Sequence, residues 1–145
     1  MYFVERSKIE KILQYMDRLL AHYQEENFDS PIKQLALERL AHMSIESIVD
    51  VGNMMIDGFI MRDPGSYDDI IDILIDEQVL PHQDEKAYKE IIGLRKLLVR
   101  EYFDIDDTHL TSTIDAHLIT LKQFSTHIRH YLDNELGPVS AFTNE

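Results

Sequence analysis

Apolar residues recur every three or four positions along most of the chain, the period of a helix with one buried face. The first such segment covers residues 9–23, and Ser7 with Glu10 at its start fits a capping box. A second segment, Ile32 to Ile60, is apolar over most of its circumference, which is typical of a helix surrounded by others. Gly52 lies in the middle of this segment, where we expect a close helix crossing.

Three further helices are predicted in the rest of the chain. A short one runs from Tyr67 to Asp76 with Ser66 as its cap, and another from about Glu85 to Tyr102. The last begins after the segment DIDDTH, whose aspartates are candidate caps, and stops at Gly137 and Pro138. The pattern predicts an all-α fold: an up-down four-helix bundle with one additional short helix.

Length and composition narrow the class of protein. A chain of 145 residues fits a single domain over residues 1–145. Its C-terminal stretch VSAFTNE is expected to dock on that domain through Val139 and Phe142. The absence of cysteine excludes disulfides, thiolate metal sites and a cysteine nucleophile. No apolar run approaches the ~18 residues of a membrane span, and the first residues lack a signal-peptide core, so we expect a cytoplasmic protein.

The net charge is −13, from 14 basic and 27 acidic residues. Such a surface repels nucleic acid on average, so RNA binding would require a local basic cluster. The densest one is in the segment RKLLVREY, with Arg95, Lys96 and Arg100. Arg95 and Tyr102 are seven positions apart and are predicted to share a helix face. Spacing alone also fits a charged flank at a helix C-terminus, where the dipole favours cations.

A stripe of polar residues crosses the apolar second segment at helical spacing. Its members are His42, Glu46, Asp50, Asn53 and Asp57. The stripe could line a cleft, hold a metal or be a solvated helix face. A metal site in a bundle core draws on Glu-x-x-His pairs, and this pattern does not occur in the sequence. We therefore expect no metal and no other cofactor.

Two other patterns in the sequence do not predict a functional site. A calcium loop beginning at Asp104 would need glycine at its sixth position and glutamate at its twelfth, where the chain has His109 and Asp115. The remaining histidines fit no catalytic or metal-binding template and are interpreted as surface residues.

The chain resembles the HepT-like branch of the HEPN superfamily, and most closely its YutE-type members. The segments that carry the resemblance are MYFVERSKIEKIL, IDGFIMRDPGSYDDIIDILIDE, LRKLLVREY and ELGPVSAF, which span the whole chain. The resemblance implies a homodimer whose cleft forms where the motif helices of two subunits meet. It also implies metal-independent RNA cleavage through the 2′-hydroxyl, by a motif of arginine, four to six residues, then histidine, usually R-x4-H-x-Y.

In that motif the arginine holds the phosphate and the histidine moves the proton. The tyrosine is the residue that a partner nucleotidyltransferase antitoxin AMPylates. Arg95 matches the arginine and Tyr102 the tyrosine, but Arg100 stands where the histidine belongs. An arginine stays protonated near neutrality and cannot act as a general base.

The departure at Arg100 leaves three hypotheses. The first is a catalytically degenerate module that binds RNA or a partner protein. The second is a ribonuclease toxin in which His42, Glu46 or Asp50 replaces the missing base. The third is an unrelated nucleotide-binding or metal-dependent protein. We also predict a homodimer, because the second segment has more apolar surface than a lone four-helix bundle would cover on one side.

Overall fold

The fold, obtained as a computed structural model, is described here for residues 4–135 and residue 142. Five α-helices and one short 3₁₀ turn follow one another within that part of the chain. They are α1 (Arg6–Glu25), α2 (Pro31–Gly58), α3 (Tyr67–Asp76), the 3₁₀ turn (His82–Asp84), α4 (Glu85–Arg100) and α5 (Asp107–Glu135). The all-α prediction is confirmed.

The four long helices alternate in direction. Arg6 at the start of α1 pairs with Asp133 near the end of α5, so these helices are antiparallel. Glu90 of α4 lies 2.5 Å from His117 of α5, and Tyr88, two positions earlier, contacts the carbonyl of Thr120, so α4 and α5 are antiparallel as well. The short α3 packs between α2 and α4.

The second helix is the centre of the bundle, since it contacts all four other α-helices. Helices of the same chain therefore surround α2 and cover most of its apolar surface. The wide apolar surface of α2 does not by itself indicate a dimer. Its first turns are the exception, because Leu35 is 61% exposed. The expected close crossing at Gly52 is confirmed: a Cβ there would lie 2.5 Å from Cγ2 of Ile70 on α3.

Helix ends follow local chemistry in most places. The Ser66 hydroxyl accepts a hydrogen bond from the Asp69 amide, and Asp106 accepts one from the His109 amide, as the capping signals predict. The predicted capping box at Ser7 and Glu10 is wrong. Helix α1 begins earlier, with Glu5 as N-cap, and the Glu10 carboxylate accepts two hydrogen bonds from Arg129 instead.

Helix α2 ends at Gly58, two residues before the predicted end at Ile60. Ile60 adopts a left-handed conformation, φ 56°, and its amide donates to the carbonyl of Asp57 while the Met61 amide donates to that of Ile56. This is the Schellman pattern, which usually has glycine at the left-handed position. The β-branched Ile60 is therefore strained there.

The predicted docking of the C-terminal stretch is confirmed at Phe142. Its ring packs edge-on against Phe59, with ring centroids 4.9 Å apart, and its backbone pairs with Val4. The ring reaches α2 because Gly58 has no side chain: a Cβ at that position would lie 2.2 Å from Cζ of Phe142. Val139, Gly137 and Pro138, which also entered the predictions, lie outside the described residues.

Candidate functional site

Arg95 projects from α4 toward α2 and is held there by Glu46. The Arg95 Nε–H donates a hydrogen bond of 2.6 Å to Oε1 of Glu46, and about a quarter of each side chain is exposed. The carboxylate, through this hydrogen bond first, raises the pKa of Arg95. The guanidinium therefore keeps its charge, and the bond to Glu46 uses only one of its five N–H donors.

Tyr67 lies under the same guanidinium. The Arg95 Cζ atom is 4.6 Å from the centre of the Tyr67 ring, which is a cation–π contact. Tyr67 is the first residue of α3, directly after the Ser66 cap, so the start of α3 fixes where its ring lies. The ring remains 45% exposed.

The polar stripe of α2 is only partly brought to Arg95. Nε2 of His42 lies 3.6 Å from the same Oε1 of Glu46 that Arg95 binds. Asp50 lies one turn further along. Burial, and then the charge of Glu46, raise its pKa, while the charges of Lys8 and Arg95 act in the opposite direction. Asn53 is half-buried and Asp57 exposed, still further along α2.

An open depression of about 390 Å³ lies beside this cluster, between α3 and α4. One wall carries Ser66, Tyr67 and Asp68 at the start of α3. The other wall comes from α4: Ile92, Gly93, Arg95, Lys96, Val99 and Arg100. Charge is therefore divided across the depression, with three cations on the α4 wall and one carboxylate on the α3 wall.

Tyr102 does not share a helix face with Arg95, contrary to the prediction. Helix α4 ends at Arg100, and the amide of Glu101, its C-cap, donates to the carbonyl of Leu97. Tyr102 then lies in a turn, 69% exposed, with its ring edge-on to the exposed Phe103. The chain then reverses, and Asp106 caps α5. Tyr102 and Phe103 are both exposed, so a longer α4 would gain no buried contacts from them.

The family model described as "Ribonuclease HepT-like" matches residues 9–128. The chain belongs to the HepT-like family. It is 52% identical over 143 residues to the Bacillus subtilis (strain 168) protein named "Putative RNase YutE", covering 98% of this chain and 99% of that one. A solved structure of YutE from Bacillus subtilis, described as a cytosolic protein of unknown function, matches with a TM-score of 0.90 at 52% identity and covers 98% of this chain and all of that one. The resemblance read from the sequence is confirmed.

The chemistry available to this HepT-like site is limited by its charges. Arg100 is exposed on the α4 wall, and an arginine side chain stays protonated near neutrality and cannot act as a general base. In residues 4–135 and 142 no cluster of three or more histidine and carboxylate side chains could hold a metal ion. Within that part of the chain, none of the helices combines the length and the hydropathy of a membrane span.

Sequence reasoning missed one member of the site. Tyr67 was predicted only as the start of α3, and nothing in its local sequence points to Arg95, which follows 28 positions later. Three histidines interpreted as surface residues, His82, His127 and His130, all line a second depression, between the C-terminal end of α3 and α5.

Proposed function

We propose that this chain is a homodimeric HepT-like protein, formed by residues 1–145, that binds RNA in its cleft without cleaving it. The observation that carries the proposal is the arginine at position 100, in place of the histidine of the family motif and on the wall of the depression beside Arg95. An arginine there strengthens phosphate binding and removes proton transfer.

The distribution of charge supports this reading. In a chain of net charge −13, Arg95, Lys96 and Arg100 bring three positive charges to one wall. Among the described residues, neither Lys96 nor Arg100 has an ion-pair partner within 4 Å, so both can neutralise a ligand's phosphates. A second subunit would double that charge.

The test is incubation of the purified protein with mixed-sequence single-stranded RNA in the presence of a chelator, with binding and cleavage measured separately. We expect salt-sensitive binding and intact RNA. Arg95→Ala and Arg100→Ala should weaken binding, whereas Arg18→Ala, which removes an arginine from α1, should not. Absence of binding by the wild type, or equal losses in all three variants, would contradict the proposal.

The variant Arg100→His adds a test for regained cleavage to the same experiment. It restores the spacing R-x4-H-x-Y around Arg95 without altering either the bundle or Tyr102. RNA cleavage gained in this variant, and abolished by adding Arg95→Ala, would locate the loss of activity at position 100. Cleavage by the wild type itself would overturn the non-cleaving role.

A second candidate function, a metal-independent ribonuclease toxin, is favoured by the position of His42. Its imidazole and Arg95 contact the same Glu46 carboxylate oxygen, at 3.6 and 2.6 Å. His42 would act as the proton carrier, with Arg95 on the phosphate. Under this alternative the wild type cleaves RNA in chelator, and both His42→Ala and Arg95→Ala lose cleavage while still folding.

Partners and compartment follow from the family. Tyr102 is exposed and lies two residues after Arg100, which suits modification by a nucleotidyltransferase antitoxin. The Bacillus relative is described as cytosolic, and we propose the same compartment here. Light scattering at micromolar concentration tests the dimer: a monomer mass would remove the composite cleft. Mass spectrometry after co-expression with a neighbouring nucleotidyltransferase tests for adenylate on Tyr102, with Tyr102→Phe as the control.

A further inference from the structure

We propose that Tyr67 is a stacking platform for a nucleobase, so that the depression between α3 and α4 holds one nucleotide of single-stranded RNA with its base on the α3 side and its phosphate on the α4 side. This inference rests on the proposed RNA binding. It adds a residue outside the Arg95–Tyr102 motif and the orientation of the bound nucleotide in the depression.

The Tyr67 ring has surface left for a ligand. Tyr67 lines the depression and is 45% exposed, although Arg95 already covers one of its faces at 4.6 Å. The remaining surface of the ring is available to a ligand. Single-stranded RNA is recognised mainly by stacking of its bases on aromatic rings and on arginine guanidinium planes, and Tyr67 with Arg95 offers both.

The two walls of the depression differ in charge. Lys96 and Arg100 lie on α4, whereas Asp68 follows Tyr67 on α3. A phosphate is attracted to Lys96 and Arg100 on the α4 wall, whereas on the α3 wall the Asp68 carboxylate opposes the attraction that a helix N-terminus has for anions. A neutral base is not repelled there, and its N–H groups can donate to the Asp68 carboxylate. The electrostatics therefore orient the nucleotide in the same sense as the aromatic ring.

The segment that carries the Tyr67 ring is held by several hydrogen bonds. The ring belongs to the first turn of α3, where the Ser66 hydroxyl accepts from the Asp69 amide. The Asp69 carboxylate in turn accepts two hydrogen bonds from Arg62, at 2.7 and 2.8 Å, and one from the Gly65 amide. These bonds fix the backbone that carries the ring, and the Arg95 guanidinium packs on the ring itself, so little freedom is lost when a base stacks there.

The experiment compares two ligands for the full-length protein by fluorescence anisotropy: a labelled mixed-sequence oligoribonucleotide and labelled inorganic polyphosphate, which has no bases. For Tyr67→Leu we expect RNA affinity to fall about 5- to 150-fold, the usual effect of losing one aromatic stack. Affinity for polyphosphate should stay within twofold of wild type. Tyr67→Phe, which keeps the ring, should bind both ligands as the wild type does.

Equal losses for RNA and polyphosphate in Tyr67→Leu would overturn the inference, because they would show that Tyr67 only positions Arg95. Unchanged RNA affinity would overturn it as well. Either result leaves the proposed RNA binding intact. Failure of the wild type to bind RNA would instead defeat the proposed function, and this inference with it.

A tryptophan at position 67 gives a direct readout that does not depend on affinity. The chain contains no tryptophan, so Tyr67→Trp introduces a single indole fluorophore. Stacking of a base should quench its emission when RNA is added, and polyphosphate should leave the emission unchanged. Binding of RNA by this variant without quenching would contradict a base on the ring.

Discussion

The Arg95 Nε–H donates a 2.6 Å hydrogen bond to Oε1 of Glu46, across 49 positions of sequence and between two helices. The cation that would meet a phosphate is thus oriented, and partly neutralised, by a carboxylate of the same chain. A charge-assisted hydrogen bond of this kind fixes the direction of the guanidinium. It also opposes an incoming anion, because the phosphate approaches both charges together.

This relationship predicts that Glu46→Gln binds RNA more tightly than the wild type. The amide oxygen still accepts from Arg95, but the charge that repels phosphate is gone. We expect a gain of about fivefold at low salt, corresponding to ~1 kcal/mol for a partly exposed charge. Glu25→Gln, an exposed charge on α1, serves as the control for net charge. Weaker binding by Glu46→Gln would show that the full carboxylate is needed to hold Arg95.

The helices and two of their caps could be predicted because their signals are local. Ser66 and Asp106 each cap an amide three positions later in the chain, and the apolar period of α2 depends only on neighbours within the helix. The site could not be predicted in the same way. Glu46, Tyr67 and Arg95 come from three helices, and the contacts among them depend on how those helices cross.

The end of α4 illustrates a competition between local and longer-range preferences. The spacing from Arg95 to Tyr102 fits one helix face, yet the helix stops at Arg100. The aspartates that follow are better caps for α5 than residues for α4, so the chain must turn before them. A residue's helix face could thus be assigned only after both neighbouring helices were known.

Two glycines in helices offer opposite tests of packing. Gly52→Ala should lower the free energy of unfolding by about 1 kcal/mol or more, because its Cβ would meet Ile70 at 2.5 Å and overpacking outweighs the gain in helix propensity. Gly93→Ala, with no atom within 4 Å of the new Cβ, should raise it by up to ~1 kcal/mol. Urea unfolding measures both. Equal effects of the two substitutions would contradict the crossing at Gly52.

Ile60 is expected to be a site where a smaller residue stabilises the protein. Its φ of 56° costs a β-branched residue about 1–2 kcal/mol, and its side chain is largely exposed, so little packing is lost on removal. Ile60→Gly should therefore raise the midpoint of thermal unfolding. Gln78→Gly, at the equivalent position after α3 with φ 61°, should act in the same direction. A lower midpoint in Ile60→Gly would mean that the side chain contributes more packing than its exposure indicates.

The raised pKa of Glu38 predicts how the stability of the folded protein changes with pH. Burial, and then the neighbouring Asp107 at the start of α5, raise the pKa of Glu38 from 4.5 to about 7. The folded protein therefore holds a proton at Glu38 that the unfolded chain releases at lower pH. The contribution of Glu38 to stability is intact below pH ~4.5 and decreases as the pH rises through 7.

Glu38→Gln isolates this effect, because it removes the titrating group and keeps a similar volume. At pH 8 the variant should be more stable than the wild type, and the difference should shrink toward zero near pH 4.5. Urea unfolding at half-unit pH intervals gives the two curves, with Glu25→Gln as a control that should follow the wild type. A difference that does not depend on pH would mean that Glu38 contributes by packing alone. It would also mean that a negative charge on Glu38, next to Asp107, does not destabilise the folded protein.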